Sequence, residues 1–386
     1  MALLITGCSS SSSSSTSSGS SSTQSSTAPI SIGGVMGLTG ALGAGCTPSA
    51  SAFKTYFNYV NAHGGVNGRK LQYTILDDGT QPSRAVSDTL QLIQQYHVQA
   101  LFGYCDSAGA VASIPLAEQN KIPMIGCGTD VACFKPLQSE VYNTMPLTSQ
   151  QDAAVLQYAF RTRGVGTIAT VNLSALDPSF VPTMTAVAAS AGTKDVADVQ
   201  AAVTTTDWGP AVIQLERANP AYVVSFLSIP QSAALVLEME REKYKPRLGI
   251  ITAYGFLTPS YAQVTGAEGS GTLAPTLTVG LTSPQAAQCL KIENPTGGTP
   301  NSDMLSACAE GGLLVSVLKG AGPNITPASI NAALQKVNNF QTGVTPPMTY
   351  DPSTHLIGSA IYVQEDQNGS YIQATPNPVT VPEPTF

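Results

Sequence analysis

IGGVMGLTGALGAGC, Ile32 to Cys46, passes from a short apolar run into glycines at 37, 40, 43 and 45. The apolar start reads as a strand. The glycines read as a loop at its carboxyl end. From Pro48 to Ala62, Phe53, Phe57 and Val60 recur at helical spacing, and Pro48 suits a first turn. Strand, glycine loop and helix together are also the frame of a phosphate cradle, so the type of loop separates a nucleotide enzyme from a binding protein. A dinucleotide fingerprint needs G-x-G-x-x-G. Gly43 and Gly45 supply the first two glycines, but Pro48 occupies the third position. No Lys follows to complete a Walker loop, and the region about twenty residues after Gly43 reads AHGG, with no acid to hold a ribose. What remains is a flexible backbone loop that can approach a ligand closely because it carries few side chains.

Working outward, short apolar runs alternate with helical patterns. ISIGGVMG, LQYTILDDG, VQALFG and IPMIG read as strands, separated by helices, the last of them around 108–119. The pattern then restarts. VGTIATVNL, DVADVQAAV, AYVVSFL and LGIITA read as strands, with helices at 178–191, 207–218 and 230–243. Alternating strands and helices imply parallel sheets covered on both faces, and this alternation describes two doubly wound units of similar plan. A third section, 277–340, carries helices from Ser302 to Lys319 and from Pro327 to Val337. The tail reads as a hairpin, Ala360–Gln364 and Ser370–Gln373 around a turn at Asp366–Gly369. In open α/β sheets ligands bind beyond the carboxyl ends of the strands, so two sheets with those ends facing each other make a cleft.

Composition narrows the function classes. Of 386 residues, 42% are hydrophobic and only 11% charged, with a formal charge of −7. Such a chain has a core of ample size and no basic stripe for a nucleic-acid backbone. No G-x-S-x-G elbow, H-E-x-x-H or P-loop is present, and His355 in DPSTH has no evident nucleophile partner. The histidines at 63, 97 and 355 lie far apart, and no cysteine pair has C-x-x-C spacing, so neither a metal nor a cofactor is expected. Trp208, the single tryptophan, is expected to be core.

Seven cysteines are present. LITGC, an apolar run and a small residue before Cys8, resembles a lipobox in which Cys8 is lipidated. The stretch before it is short for a signal peptide and lacks Lys and Arg, so the true start is expected upstream. Ser9 to Thr27 is a Ser-rich polar tether. Six cysteines then remain: Cys46, Cys105, Cys127, Cys133, Cys289 and Cys308. Outside the cytoplasm these are oxidised, and six allow fifteen pairings.

LTGALGAG, followed by a helix and by VNAHGGVNGRKLQYTILDDGTQPSRAVSDTLQLIQQYHVQALFG (60–103), resembles the leucine/isoleucine/valine-binding family of type I periplasmic binding proteins. Asn61, Gly64, Gly65, Val66, Asn67, Gly68, Arg69, Lys70, Asp77, Asp78 and Pro82 carry the likeness, which extends more weakly over 30–375. The residues themselves read structurally. Gly64 and Gly65 end a helix, Asn67-Gly68 turns into a strand, and Asp77 and Asp78 cap the following turn and helix.

The resemblance implies two lobes joined by three crossings, placed near 146–150, 275–280 and 342–348. The N-terminal lobe would comprise 30–147 and 278–344, the C-terminal lobe 148–277 and 345–386, with 1–29 as signal remnant and tether. The sheet order 2-1-3-4-5 would bring the loops after strands one and three together and pair Cys46 with Cys105. Cys127 would close on Cys133, and Cys289 on Cys308. Ligand contacts would come from Thr39, Gly40 and Ala41, from Asp106, Ser107 and Ala108, and from Gly128, Thr129 and Asp130. In amino-acid binders the second and third of these loops hold the ligand carboxylate with hydroxyls and N–H groups, and Ser107 and Thr129 keep the hydroxyls. Asp106 and Asp130 would repel a carboxylate unless they cap helices. The second lobe would offer Ser174, Asp177, Phe180, Ser228, Ile229, Tyr254 and Phe256. Phe180, Ile229, Tyr254 and Phe256 would form an apolar or stacking wall. The family's acid for an ammonium group is missing from TAYGF, which puts a simple α-amino acid in doubt.

The function implied is a lipid-anchored solute-binding component of an ABC importer on the outer face of the cell membrane. It would be a monomer without enzymatic activity. It would capture an amino-acid-like, amide, aromatic or partly apolar ligand and present it to a permease. The same fold also serves ligand-sensing receptors, and an enzyme of unknown reaction is the third class.

Overall fold

The computed structural model describes residues 28–383 apart from 41, 174–177, 203 and 254–258. Cys8, Ala41, Ser174, Asp177, Tyr254 and Phe256 therefore lie outside the described residues. The first unit runs β1 (Ile30–Met36), α1 (Gly43–Ala62), β2 (Leu71–Asp77), α2 (Pro82–Gln94), β3 (Ala100–Tyr104), α3 (Ser107–Asn120), β4 (Met124–Ile125) and β5 (Val141–Tyr142). Its strands form a parallel sheet in the order β2-β1-β3-β4-β5.

The second unit repeats the plan. It runs α4 (Thr148–Arg163), β6 (Ile168–Leu173), α5 (Phe180–Ser190), β7 (Asp195–Ala201), α6 (Gly209–Ala218), β8 (Tyr222–Phe226), α7 (Ile229–Arg241), β9 (Gly249–Thr252), α8 (Pro259–Thr265) and β10 (Leu273–Thr276). The third section supplies α9 (Ala287–Glu293), α10 (Ser302–Gly320) and α11 (Pro327–Leu334), and the tail supplies β11 (Ala360–Gln367), β12 (Ser370–Gln373) and β13 (Val379–Thr380). The second sheet is ordered β12-β11-β10-β9-β8-β6-β7, with β11 antiparallel to β10 and β13 paired on β11. This is the type I periplasmic binding protein fold, two parallel-sheet lobes.

Each sheet is covered on both faces, as its strands require: β6 is buried along its whole length. On the first lobe, Phe53 and Phe57 of α1 pack with Phe102 of β3 and with Leu305, Leu313 and Leu314 of α10. Helices α1 and α10 approach closely at Gly311, where a Cβ would lie 2.6 Å from the Tyr56 ring. The opposite face is closed by Leu92 of α2 and Ile114 of α3. On the second lobe, Leu156 of α4 and Met184 of α5 cover one face, and Trp208, Leu215 and Leu235 cover the other. Trp208 is core, as expected.

Two expectations need correction here. The glycine loop is not a free loop, because Gly43 and Gly45 lie inside the first turn of α1 and Pro48 sits further in. The remaining connection is pinned from β2. The Thr39 N–H and hydroxyl both donate to Asp77, and the Leu42 N–H donates to the Thr80 hydroxyl. The third crossing also falls later than 342–348. Met348 and Ile357 are buried in the first lobe's core, the Ile357 N–H donates to the Asn143 carbonyl, and the Asn143 N–H donates to the His355 carbonyl. Ile361 is the first residue after them to pack in the second lobe's core. The chain therefore recrosses near Gly358, beside the first crossing: a Cβ there would lie 2.2 Å from the Thr144 carbonyl oxygen. The second crossing passes between Leu277, packed on the second lobe, and Val279, packed on the first.

Candidate functional site

A cavity of about 290 Å³ opens at the carboxyl ends of the first lobe's strands. That is where an open α/β sheet places its ligands, and the volume suits a small one. Met36 ends β1, Gly103 and Tyr104 end β3, Gly126 and Gly128 follow β4, and Thr144 follows β5; all line it.

Of the residues singled out from sequence, Ser107, Gly128 and Thr129 line the cavity. Ser107 opens α3, whose first N–H groups have no partner within the helix. Gly128 lies against it with φ +119°, and a Cβ there would sit 2.3 Å from Ser107 Oγ. Two disulfides brace these loops. Cys46–Cys105 ties α1 to the turn before α3, and Cys127–Cys133 closes the loop that carries Gly128 and Thr129. Cys289–Cys308 links α9 to α10. All three pairings agree with those expected from the sheet order and the cysteine positions.

Several expected contacts serve the backbone instead. Asp106 accepts from the Ala108 N–H at 3.0 Å, and Asp130 from the Ala132 N–H at 2.8 Å, so both acids are occupied as caps. Ala108 is exposed, and neither it nor Thr39 or Gly40 lines the cavity. Asp77 accepts from Thr39 and from the Gly79 N–H, which makes it a turn cap as expected. In the second lobe, Ser228 caps α7 and its hydroxyl engages Gln231, while Ile229 is half-buried against the lobe's core. Phe180 is a correction. Its side chain is 0% exposed, packs beside Phe226, and belongs to the core that α5 seals.

The sequence reading missed the other wall. Ser49 of α1 and Asp303, Ser306 and Glu310 of α10 line the cavity opposite α3. Ser49 Oγ donates to Asp303 Oδ1 at 2.5 Å. The Thr144 hydroxyl donates to Glu310 Oε2 at 3.3 Å. Burial pushes the Glu310 carboxyl up to about 7, and the Thr144 hydrogen bond offsets only part of that. A signal did exist: 303, 306 and 310 recur at helical spacing as the polar stripe of a helix whose other face is Leu and Val. Among the described residues no group of His, Cys, Asp and Glu could hold a metal, and no helix is long and apolar enough to cross a membrane.

The sheet order, the cleft and the disulfide-braced loops define a two-lobed binding protein, and the comparisons agree. The chain belongs to the periplasmic binding protein family, whose model matches residues 29–370. No curated protein matches it by sequence. Among solved structures it is similar to an ABC transporter substrate-binding protein from Sphaerobacter thermophilus, with a TM-score of 0.80, 19% identity and 92% and 98% of the two chains covered. It is similar to a branched-chain amino acid ABC transporter protein from Thermus thermophilus with bound valine, at TM-score 0.78, 16% identity and 91% and 96% coverage. It is also similar to a solute-binding protein of an ABC transporter from R. palustris in complex with 4-hydroxybenzoate, at TM-score 0.74, 18% identity and 92% and 97% coverage.

Proposed function

We propose that this protein is the lipid-anchored solute-binding component of an ABC importer. It captures a small amino-acid-like or aromatic acid between its lobes and presents it to a permease. The observation that supports the reading is the cavity at the strand ends, with the Ser107 and Thr129 hydroxyls on its wall. No hydrogen bond within the described residues occupies either hydroxyl. Neutral hydroxyls and helix-terminal N–H groups hold a carboxylate without a counter-charge, because the helix end itself carries partial positive charge. The structures with bound valine and bound 4-hydroxybenzoate are both carboxylate complexes on this fold. Anchoring rests on LITGC and the Ser-rich segment after it.

A thermal-shift screen over amino acids, amides and aromatic acids tests the reading. Binding to the folded state raises apparent stability by mass action, about 2.7 kcal/mol at one hundred times Kd. At least one small carboxylate is expected to raise Tm in a concentration-dependent way, and a screen in which none does so removes the proposal.

A further inference from the structure

Glu310 belongs to two cavities at once. It lines the cavity of about 290 Å³ at the strand ends, and also a cell of about 20 Å³ between the segments that cross from lobe to lobe. Thr144, Leu277 and Gly358 bring the three crossings to that cell. The Thr144 hydroxyl donates to Glu310 Oε2 at 3.3 Å. One carboxyl therefore borders both the place where a ligand sits and the joint on which the lobes turn, and any turn moves the walls around it.

That carboxyl has no cation. Among the described residues no Lys, Arg or His lines either cavity. The second-lobe loops expected to close over the site, 173–180, 228–229 and 254–256, contain none either. The smaller cell has room for about one water molecule, too little to hydrate an anion. The titratable groups around Glu310 are Asp303 of the same helix, engaged by Ser49 at 2.5 Å, with Tyr73 of β2 and Tyr104 of β3. Burial pushes both phenols above their usual range, so they stay neutral. His355, on the third segment, stacks on Tyr142 and lines neither cavity.

Closure makes the charged form of Glu310 costlier. The side chain is half-buried, and a second lobe drawn over it removes water while bringing no positive charge. A ligand carboxylate at Ser107 and Thr129 also puts a second anion into the same cavity. A methyl group on Gly126 would lie 4.0 Å from Glu310 Oε2, and one on Gly128 would lie 2.3 Å from Ser107 Oγ. Two residue steps separate these glycines, at most about 7 Å between Cα atoms. Both effects act against the ionised carboxyl and neither acts against the neutral one.

We propose that Glu310 couples ligand capture to proton uptake: as the lobes close on an acid, this carboxylate takes one proton from solvent and becomes a neutral carboxyl. The inference rests on the solute-binding reading above and adds regulation to it. Burial by the first lobe and the crossings already holds Glu310 at about 7, and closure moves it higher. Below that value the carboxyl is neutral in both states, and affinity is level and highest. Affinity falls as pH rises from there to the value in the closed state, because closure must then bind a proton that the open form has lost. Acid surroundings therefore strengthen capture and alkaline ones loosen it.

The test uses the full folded chain with 4-methylpentanoate and 4-methylbenzoate, acids that carry no amine and stay ionised above pH 6. Calorimetry is expected to give an affinity at pH 6 that exceeds the affinity at pH 9 by about tenfold or more, as for two anions in one site without a cation. At pH 7.5 the heat is expected to vary with the buffer's ionisation enthalpy in the direction of proton uptake. Glu310→Gln fixes the neutral shape. It should keep the wild-type melting temperature at pH 6, bind at pH 9 as tightly as the wild type binds at pH 6, and lose the buffer dependence. Level affinity from pH 6 to 9, proton release on binding, or a pH dependence that survives Glu310→Gln overturns the inference and leaves the solute-binding reading standing. If neither acid binds at either pH, the inference fails together with the reading it rests on.

Discussion

Gly128 meets Ser107 at a contact that leaves no room for a side chain, and its φ of +119° is one that L residues rarely adopt. The loop thereby lets the Ser107 hydroxyl face the cavity at short range. Ser107→Ala is expected to weaken binding of a carboxylate ligand by roughly ten- to a hundredfold, the worth of one hydrogen bond to a charged group, with the melting temperature unchanged. Gly128→Ala should lose affinity and also about 1–3 kcal/mol of stability, because strain and a clash now act on the fold itself. Equal affinity of Ser107→Ala and wild type, measured by calorimetry, would remove the hydroxyl from the site. Glu293 tests a different term. It is 5% exposed, neither carboxylate oxygen has a hydrogen-bond partner, and burial pushes it up to about 8. Between the unfolded value of 4.5 and about 8 the native state holds a proton that the unfolded chain has lost, so stability falls as pH rises through that window. Glu310 adds the same sign up to about 7. Glu293→Gln should flatten that slope and raise stability at pH 8.5 by roughly 1–3 kcal/mol. Melts that show the wild-type slope in the variant would mean that Glu293 stays ionised in the fold.

At the scale of elements, the loops that carry the candidate site are held by covalent links of unequal reach. Cys46–Cys105 spans 59 residues, Cys289–Cys308 spans 19 and Cys127–Cys133 spans 6. By chain entropy these contribute about 4, 3 and 2 kcal/mol respectively. Paired Ser substitutions should lower stability in that order. The Cys127/Cys133 pair should show the larger loss of affinity relative to stability, since it closes the loop bearing Gly128 and Thr129. Denaturant melts giving the reverse stability order would show that native-state contacts, not loop closure, set the ranking. The strands and helices behind these loops were legible in the sequence because period-2 and period-3.6 patterns follow directly from which side must be dry. The first-lobe hydroxyls were legible too, since they follow strand ends. Two things were not. Thr345 to Met348 reads as a Pro-rich linker, yet Met348 is buried in the first lobe, because burial there depends on a partner element far away in sequence. The α10 wall was hidden for the same reason: Glu310 reaches the cavity only after the third section folds back onto α1.

On the whole molecule, three chain segments pass between the lobes, and they lie together. Thr144, Leu277 and Gly358 border one small cavity of about 20 Å³, and Glu310 borders it from α10. Among the described residues the lobes share no sheet, so a change of angle between them is expected to be absorbed at these segments. A ligand that touches both lobes shifts the population toward the closed arrangement by its differential affinity for that state. The expected outcome is a fall of about 1 Å in the radius of gyration from roughly 20 Å when a probe that raises Tm is added to saturation. Gly358→Ala probes the joint itself. A methyl group 2.2 Å from the Thr144 carbonyl oxygen pushes the first and third crossings apart, so the variant should lose stability and show a smaller ligand-induced compaction. Small-angle scattering with and without the probe distinguishes the cases. Unchanged dimensions on binding in the wild type would mean that the ligand is held by one lobe alone, and the crossings would then be fixed connectors.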